Sequence, residues 1–454
     1  MIKKLLDKVF SRGAKASRAP TVVPVSRHGL TRERISRCAR RTCEGLQEAG
    51  YEAYVVGGAV RDLLLDLEPK DFDVATDATP EQVHAVFRRS RIIGRRFRLV
   101  HVLCGQEMVE TSTFRAPHSD DATHQVKDEH GRLLRDNAFG TQQEDALRRD
   151  FTVNALYYNP ATEEILDFVD GMKDLEARRL RIIGEARSRY REDPVRMLRA
   201  VRLAAKLRMD LDPGTRAPIP EMAELVQNVP GARLFEEMLK LLLSGHAVAC
   251  IRQLRAEGLH HGLLPMLDVI LEQPMGERFV MLALERTDER VRADKTVSPG
   301  FLFAALLWHE VLAAWNAAQA RGVAPVPAMH EAMDQVLSVQ AERMSVPRRF
   351  GTDMKEIWLM QWRFAQRSGK RPFRVLESPK LRASFDFLLL RCESGELDAE
   401  VGQWWERFQN ASDEERSRML LPAPKGAGAG RKRRRRRQGG AGESSSAAEQ
   451  VEQS

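Results

Sequence analysis

Two aspartates, Asp71 and Asp73, stand two residues apart in KDFDVAT, thirteen residues beyond the glycine pair Gly57-Gly58. A strand sends alternate side chains to one face, so a strand here brings both carboxylates to one point. Two such charges repel unless a cation lies between them, and Mg2+ suits hard oxygen ligands with phosphates as further partners. An isolated DxD is equally an exposed strand face or turn. The glycine pair changes the balance, because it ends one strand and opens a helix, where main-chain N–H groups can approach a phosphate closely. Glu110, inside the alternating run MVETSTF, offers a third acid; the plain alternative is an open, solvated sheet face. Arg148, Arg149 and Asp150 follow a long polar stretch. Arginine forks fit triphosphate oxygens, and Asp150 suits either a ribose hydroxyl or the metal. Whether Glu110 or Asp150 completes the acid set stays open.

Several elements must hold these residues. RERISRCARRTCEGLQEAG predicts a helix stopped at Gly50, YEAYVVGG a strand and AVRDLLLDL a helix, with DFDVAT as the next strand. Thr79-Pro80-Glu81-Gln82 spells a capping box with proline in the first turn. RLVHVLC and MVETSTF predict a hairpin across Gly105-Gln106. Residues 115–143 are polar and too long for an ordinary connection, which suits a lid or disorder. From Ala177 to about Gln409 the apolar spacing is helical almost throughout.

The 454 residues carry 72 Lys and Arg against 64 Asp and Glu, a net +8, of which seven charges form the run 431–437. The excess charge is therefore a property of the tail, whose composition predicts disorder and non-specific contact with polyanions through counterion release. No apolar run reaches the length of a membrane span. The five scattered cysteines contain no CxxC, which argues against a disulfide framework or zinc site and for a reducing, cytoplasmic setting. The eleven histidines, including His118, His124 and His130 of the polar stretch, form no cluster with ligand spacing. Trp308, Trp358, Trp362, Trp404 and Trp405 read as core before base-stacking platforms.

GGAVRD, DFD, RRDFTVNAL, DGMKDLEARRLRIIG and EDPVRMLRAVRLAAKL follow one another in a fixed order. In that order they resemble the class II nucleotidyltransferase family, which includes bacterial poly(A) polymerases and CCA-adding tRNA nucleotidyltransferases. The resemblance covers roughly residues 28–265. It implies an α+β fold with a polymerase-β-like nucleotidyltransferase head on a small mixed sheet, followed by all-α neck and body domains and a disordered basic tail. The expected divisions are a flexible leader over 1–27, a catalytic head over 28–176, a neck over 177–270, a body over 271–420 and the tail over 421–454. One departure is Asp66, where the family usually has glycine, with a possible change to the turn before the catalytic strand.

The resemblance further implies template-free addition of nucleotides to RNA 3′ ends from a nucleoside triphosphate. Asp71, Asp73 and Glu110 would hold two Mg2+ ions, with Mn2+ as a substitute, and Asp150 would join them in catalysis. Gly57, Gly58, Arg61, Asp62, Arg148, Arg149, Asp193, Arg196 and Arg199 would bind the nucleotide. Asp193 and Arg196 complement the Watson–Crick edges of adenine and cytosine, which share a donor beside an acceptor, and leave uracil and guanine unpaired at about 1–3 kcal/mol per buried group. They do not separate A from C. The plain alternative for them is an i,i+3 ion pair at a helix start.

Residues 92–102, with Arg95 and Arg96, resemble the segment that marks the poly(A) polymerase branch, as does the basic tail with Arg431, Arg433, Arg435 and Arg437. Both would contact RNA. The expected enzyme is a monomeric, ATP-using poly(A) polymerase acting in RNA 3′ processing and turnover, with RNA-degradation machinery as a candidate partner. A CCA-adding enzyme and a catalytically silent RNA-binding adaptor are the alternatives. Intact Asp71 and Asp73 weigh against the adaptor.

Overall fold

The computed structural model describes residues 19–94, 98–116, 125–127, 133–136, 139–260 and 274–422. Expectations for Arg95, Arg96, the three histidines of the polar stretch, residues 1–18 and the run 431–437 lie outside them.

Strands form where β-branched and aromatic residues alternate: β1 (Thr21–Val23), β2 (Ala53–Val56), β3 (Asp73–Thr76), β4 (Ser90–Ile93), β5 (Leu99–Cys104), β6 (Glu107–Thr113), β7 (Gln125–Lys127), β8 (Leu133–Asp136), β9 (Leu156–Asn159) and β10 (Glu164–Asp167). Eight of them make one sheet in the order β1-β10-β9-β2-β3-β6-β5-β4. Only the β3–β6 pairing in this sheet is parallel. That pairing sets Asp73 opposite Glu110, and the antiparallel β5–β6 pair sets Glu110 opposite His101. Three strands thus line up charged or polar positions in one row across the sheet.

Alternation sorts the rest. Val55, Val74, Val100 and Val109 pack with Cys38, Ala39 and Leu46 of the helix Arg37–Glu48. Val56, Ala75, Phe114 and Tyr157 face the other way, against Ala146 of the helix Gln142–Arg148. Asp73, two residues before Ala75, therefore shares the second face.

Several sequence expectations meet their elements. The helix Arg37–Glu48 is capped by Ser36, whose side chain accepts from the Ala39 N–H, and it stops before Gly50 at φ +89°. Thr79 and Gln82 make the reciprocal capping box, and the β5–β6 hairpin turns at Gly105. Others are corrected. Val22 and Val23, placed in the leader, belong to an edge strand paired with β10, so the head sheet starts before His28. The polar stretch 115–143 contains a small β7–β8 hairpin. The helical region contains a two-residue parallel ladder, Arg179–Leu180 with Asp210–Leu211. Cys38 and Cys104 form a disulfide between the helix Arg37–Glu48 and the end of β5, with Cα atoms 5.6 Å apart. Their 66-residue separation hides this pairing from spacing rules, since only the fold brings the two elements together.

Asp66 takes φ +57°, the left-handed conformation for which glycine is favoured, and asparagine and aspartate tolerate it best among other residues. Its Oδ1 accepts from Arg34 Nη1 at 3.0 Å. The turn keeps its geometry, and the departure costs only a modest backbone strain.

Helices make up most of the other described residues, and one hydrophobic core runs from Val23 through Leu390. The stretch expected as a single helix at PGFLFAALLWHEVLAAW is two, Pro299–Leu306 and Trp308–Ala320, bent by 55° at Leu307. A second core gathers Phe364, Trp404, Trp405 and Phe408. Trp308, Trp358, Trp404 and Trp405 are buried, as core residues should be, and Trp362 is half-buried. Among the described residues no single helix is long and apolar enough to cross a membrane.

Candidate active site

The turn from β2 into the helix Gly58–Leu64 brings the site together. Gly57 has φ +83° and ψ −136°, a conformation open to glycine and strained for any L side chain. A Cβ placed there would stand 3.5 Å from Arg149 Nη1 and 3.8 Å from Asp73 Oδ2, so the bare face of Gly57 looks onto both. Space would allow a methyl group; the backbone conformation would not.

Asp73, Glu110, Ser112, Arg115, Asp145, Arg148 and Arg149, with Leu99, line a cleft of about 270 Å³. Burial, then the charges of Asp71 and Glu110, push the Asp73 carboxyl up to about 6, against the pull of Arg149. The three acids are therefore close enough to feel one another. Asp71 precedes β3 instead of lying on it, and is exposed. The pair meets through an extended approach to the strand, and only Asp73 is in the ladder. Glu110 is half-exposed, with its Oε1 3.4 Å from His101 Nε2.

Arg149 is held from behind. Its Nε and Nη2 donate to Asp145 Oδ2 at 3.2 and 3.0 Å, Nε also to the Tyr157 hydroxyl at 3.1 Å, and that hydroxyl donates to Asp145 at 2.7 Å. Asp145 and Tyr157 escaped the sequence reading. An acid four residues before an arginine on a helix was the available signal for Asp145. Nothing in the sequence marks Tyr157, whose ring is fully buried.

Asp150 goes elsewhere. Its Oδ2 lies 2.6 Å from Arg199 Nη2, and its Oδ1 accepts from the Phe151 N–H and Asn154 Nδ2. Burial alone would raise its pKa, but Arg199, Asn154, the Phe151 N–H and Arg196 together hold it below the usual carboxylate range. It neither lines the cleft nor contributes to the field at Asp73. Of the two candidate third acids, Glu110 stands opposite Asp73 and lines the cleft, whereas Asp150 ties its loop to the helix Val195–Leu207 through Arg199.

Arg61 and Asp62 are likewise turned inward. Arg61 Nε donates to Asp62 Oδ1 at 2.8 Å and its Nη1 to Asn154, while Lys206 Nζ stands 3.5 Å from Asp62 Oδ2. Both residues are buried. Arg61 Nη2 lies 3.5 Å from the Cβ position of Gly58, so this pair props the glycine turn from beneath.

Asp193 and Arg196 do not pair with each other. Asp193 Oδ2 accepts from Arg233 Nη2 at 2.6 Å, and Arg196 Nη1 donates to Glu192 Oε2 and to the Arg189 carbonyl, both at 2.8 Å. The i,i+3 ion pair that would explain them as a plain helix start is absent. Each is instead anchored by a third residue beside Pro194, where the helix Ala186–Glu192 gives way to Val195–Leu207.

Among the described residues no three His, Cys, Asp or Glu side chains already stand at metal-ligand spacing. The donors nonetheless fit a hard divalent cation. They are carboxylate oxygens, and the buried one is raised first by burial and then by its two acidic neighbours, a repulsion that a cation relieves.

Most of the chain has counterparts among known proteins. Three family models match in chain order: the poly A polymerase head domain over residues 53–181, the probable RNA and SrmB-binding site of polymerase A over 208–271, and the polymerase A arginine-rich C-terminus over 321–439. Poly(A) polymerase I of Salmonella typhimurium is 44% identical over 440 residues, covering 93% of this chain and 94% of that protein. A CCA-adding enzyme of Limosilactobacillus reuteri is 36% identical over 222 residues, covering 49% of this chain and 53% of that protein. The crystal structure of the Bacillus stearothermophilus CCA-adding enzyme in complex with CTP superposes with a TM-score of 0.55 at 25% identity, covering 84% of this chain and 81% of that one.

Proposed function

This chain belongs to the poly(A) polymerase I family of nucleotidyltransferases, and from that premise we propose how its residues carry out template-independent addition of AMP to RNA 3′ ends. The observation that carries the reading is the face-to-face register of Asp73 and Glu110 in a cleft that also contains Arg148 and Arg149. Acids and arginines side by side suit a triphosphate whose charge is partly neutralised by cations and partly by guanidinium groups.

Asp73, Glu110 and Asp71 would hold divalent cations, two Mg2+ or Mn2+ ions, which when bound neutralise phosphate charge and activate the attacking hydroxyl. Arg149, locked by Asp145 and Tyr157, presents Nη1 beside Gly57, where the phosphates of ATP can approach main-chain N–H groups. Arg148 lines the same cleft. Asp193 and Arg196 meet the base edge. Arg199 serves through Asp150, fixing the loop that bears the arginines to the neck helix Val195–Leu207. The RNA 3′ hydroxyl attacks the α-phosphate in line with the departing pyrophosphate, and alignment by these side chains supplies much of the rate.

RNA would reach the cleft over the helical neck and body, aided by Arg95, Arg96 and the tail arginines. The match at 208–271 supports an RNA surface and a protein-partner surface within RNA 3′ processing and turnover.

The deciding assay supplies each nucleoside triphosphate separately, with Mg2+ and an unstructured RNA primer. Long extension with ATP alone is the expected result. Preferred use of CTP, with a tRNA requirement, would establish the CCA-adding alternative. No incorporation of any nucleotide would leave an RNA-binding adaptor.

A further inference from the structure

One buried arginine joins the two ends of the nucleotide site. Arg189 lies in the helix Ala186–Glu192, and its Nη2 donates to the main-chain carbonyls of Arg148 at 2.6 Å and Arg149 at 2.7 Å. These carbonyls close the helix Gln142–Arg148, where acceptors lack intrahelical partners and the helix dipole favours a cation. The other arm, Nη1, donates to Glu192 Oε2 at 2.8 Å. That same oxygen accepts from Arg196 Nη1 at 2.8 Å, and Arg196 Nη1 donates back to the Arg189 carbonyl. A single guanidinium plane therefore spans from the main chain of the cleft arginines to the anchor of Arg196. The seam on either side is closed by main-chain bonds, Ile183 N–H to the Asp150 carbonyl at 2.9 Å and Thr152 N–H to the Arg181 carbonyl at 3.0 Å.

We infer that Arg189 is a positioning residue that keeps the triphosphate arginines and the base-reading pair in one register. The inference rests on the reading that Arg148 and Arg149 meet the triphosphate and Asp193 and Arg196 the base. Through this clamp, a base that satisfies Asp193 and Arg196 also places its α-phosphate correctly, and a base that leaves them unpaired loosens the other end. Lysine cannot replace the clamp, because an ammonium is a point charge on a flexible stem and lacks the planar fork that reaches both sides at once.

The test compares full-length wild type, Arg189→Lys and Glu192→Gln in single-nucleotide addition to a short RNA primer, each nucleotide supplied alone, with melting temperature and primer affinity measured in parallel. Arg189→Lys should raise KM for ATP and shrink the preference for ATP over GTP and UTP, each by about tenfold, since misplacement by an ångström costs up to about 10²-fold. Primer affinity should stay at the wild-type value. Glu192→Gln removes the charge shared by Arg189 Nη1 and Arg196 Nη1 but leaves the Arg189 Nη2 bonds to the Arg148 and Arg149 carbonyls in place, so it should lower the base preference and leave KM for ATP close to wild type.

A wild-type base preference in Arg189→Lys, whatever its overall rate, would overturn the clamp. Should Arg189→Lys fail to fold, Glu192→Gln decides, and an unchanged preference there overturns it equally. A wild-type protein that adds no nucleotide would instead sink the underlying reading, and the inference with it.

Discussion

Asp73 and Asp150 stand in opposite electrostatic situations. Asp73 sits in the head cleft beside Asp71 and Glu110, and burial together with those acids pushes it up to about 6. Asp150 is also buried, but Arg199, Asn154 and a main-chain N–H hold it below the ordinary range. The same side chain is thus under strain in one place and satisfied in the other. The proposed cation site is left short of positive charge in the free protein, whereas Asp150 completes its pairs within the chain. Catalytic and structural acids can be told apart by asking whether their charge is already answered.

The contrast breaks most sharply on activity. Asp73→Asn should lower AMP addition by at least about 10³-fold, because loss of a metal-binding charge removes several kcal/mol of transition-state stabilisation. Asp150→Asn should retain far more of the rate; equal losses in the two variants, measured at saturating ATP and primer, would erase the distinction.

Stability should reverse the order. Asp150→Asn removes the nearest counter-charge of Arg199, which is partly exposed and keeps the weaker fields of Glu237 and Asp193, and should cost about 1–3 kcal/mol near pH 7, read by denaturant unfolding. Because the folded pKa of Asp150 is depressed, this contribution is present above the unfolded value near 3.8 and lost as pH falls through the lower folded value. Asp73 has the opposite sign. Its folded pKa is raised, so its ionisation penalises the metal-free fold increasingly from pH 3.8 to about 6 and fully above that. Asp73→Asn should therefore stabilise the metal-free protein at pH 7.5 by about 1–3 kcal/mol, the gain fading in acid. A destabilised Asp73→Asn in the presence of chelator would show that the acids of the head are not in conflict.

The smallest effect sharpens the comparison at the neck. Arg196 is the weakest of the groups that act on Asp150, so Arg196→Ala should change stability by about 1 kcal/mol or less. Its cost should fall on base choice, with the preference for ATP over UTP and GTP reduced roughly tenfold, as expected for one lost recognition pair. Uniform weakening for every nucleotide would make Arg196 a phosphate or packing residue.

Much of the head was legible because its signals are local. Thr79 and Gln82 cap a helix within four residues of chain, the β5–β6 hairpin follows from alternation around Gly105, and Asp71, Asp73 and the glycine pair lie within one short segment. The motifs sufficed to indicate the family. What failed depended on distant partners. The strand pairing of Val22 and Val23 needs β10, and the Cys38–Cys104 disulfide needs a helix laid over β5. The break at Leu307 separates two helices whose apolar spacing runs on without interruption.

The chain's local order determined which residue types could do chemistry: a glycine turn, a carboxylate pair and an arginine pair, each within a few residues and each following from backbone period and side-chain charge, with the Asp193–Arg196 motif marked by the family resemblance. Tertiary structure alone decided which of them meet. The parallel β3–β6 register put Glu110 opposite Asp73 and excluded Asp150, which Arg199 had already claimed from the neck. It also turned Arg61 and Asp62 into supports and made Arg189 a bridge. Charges separated by tens of residues interact only when packing brings them within a few ångströms, and that distance is a property of the fold.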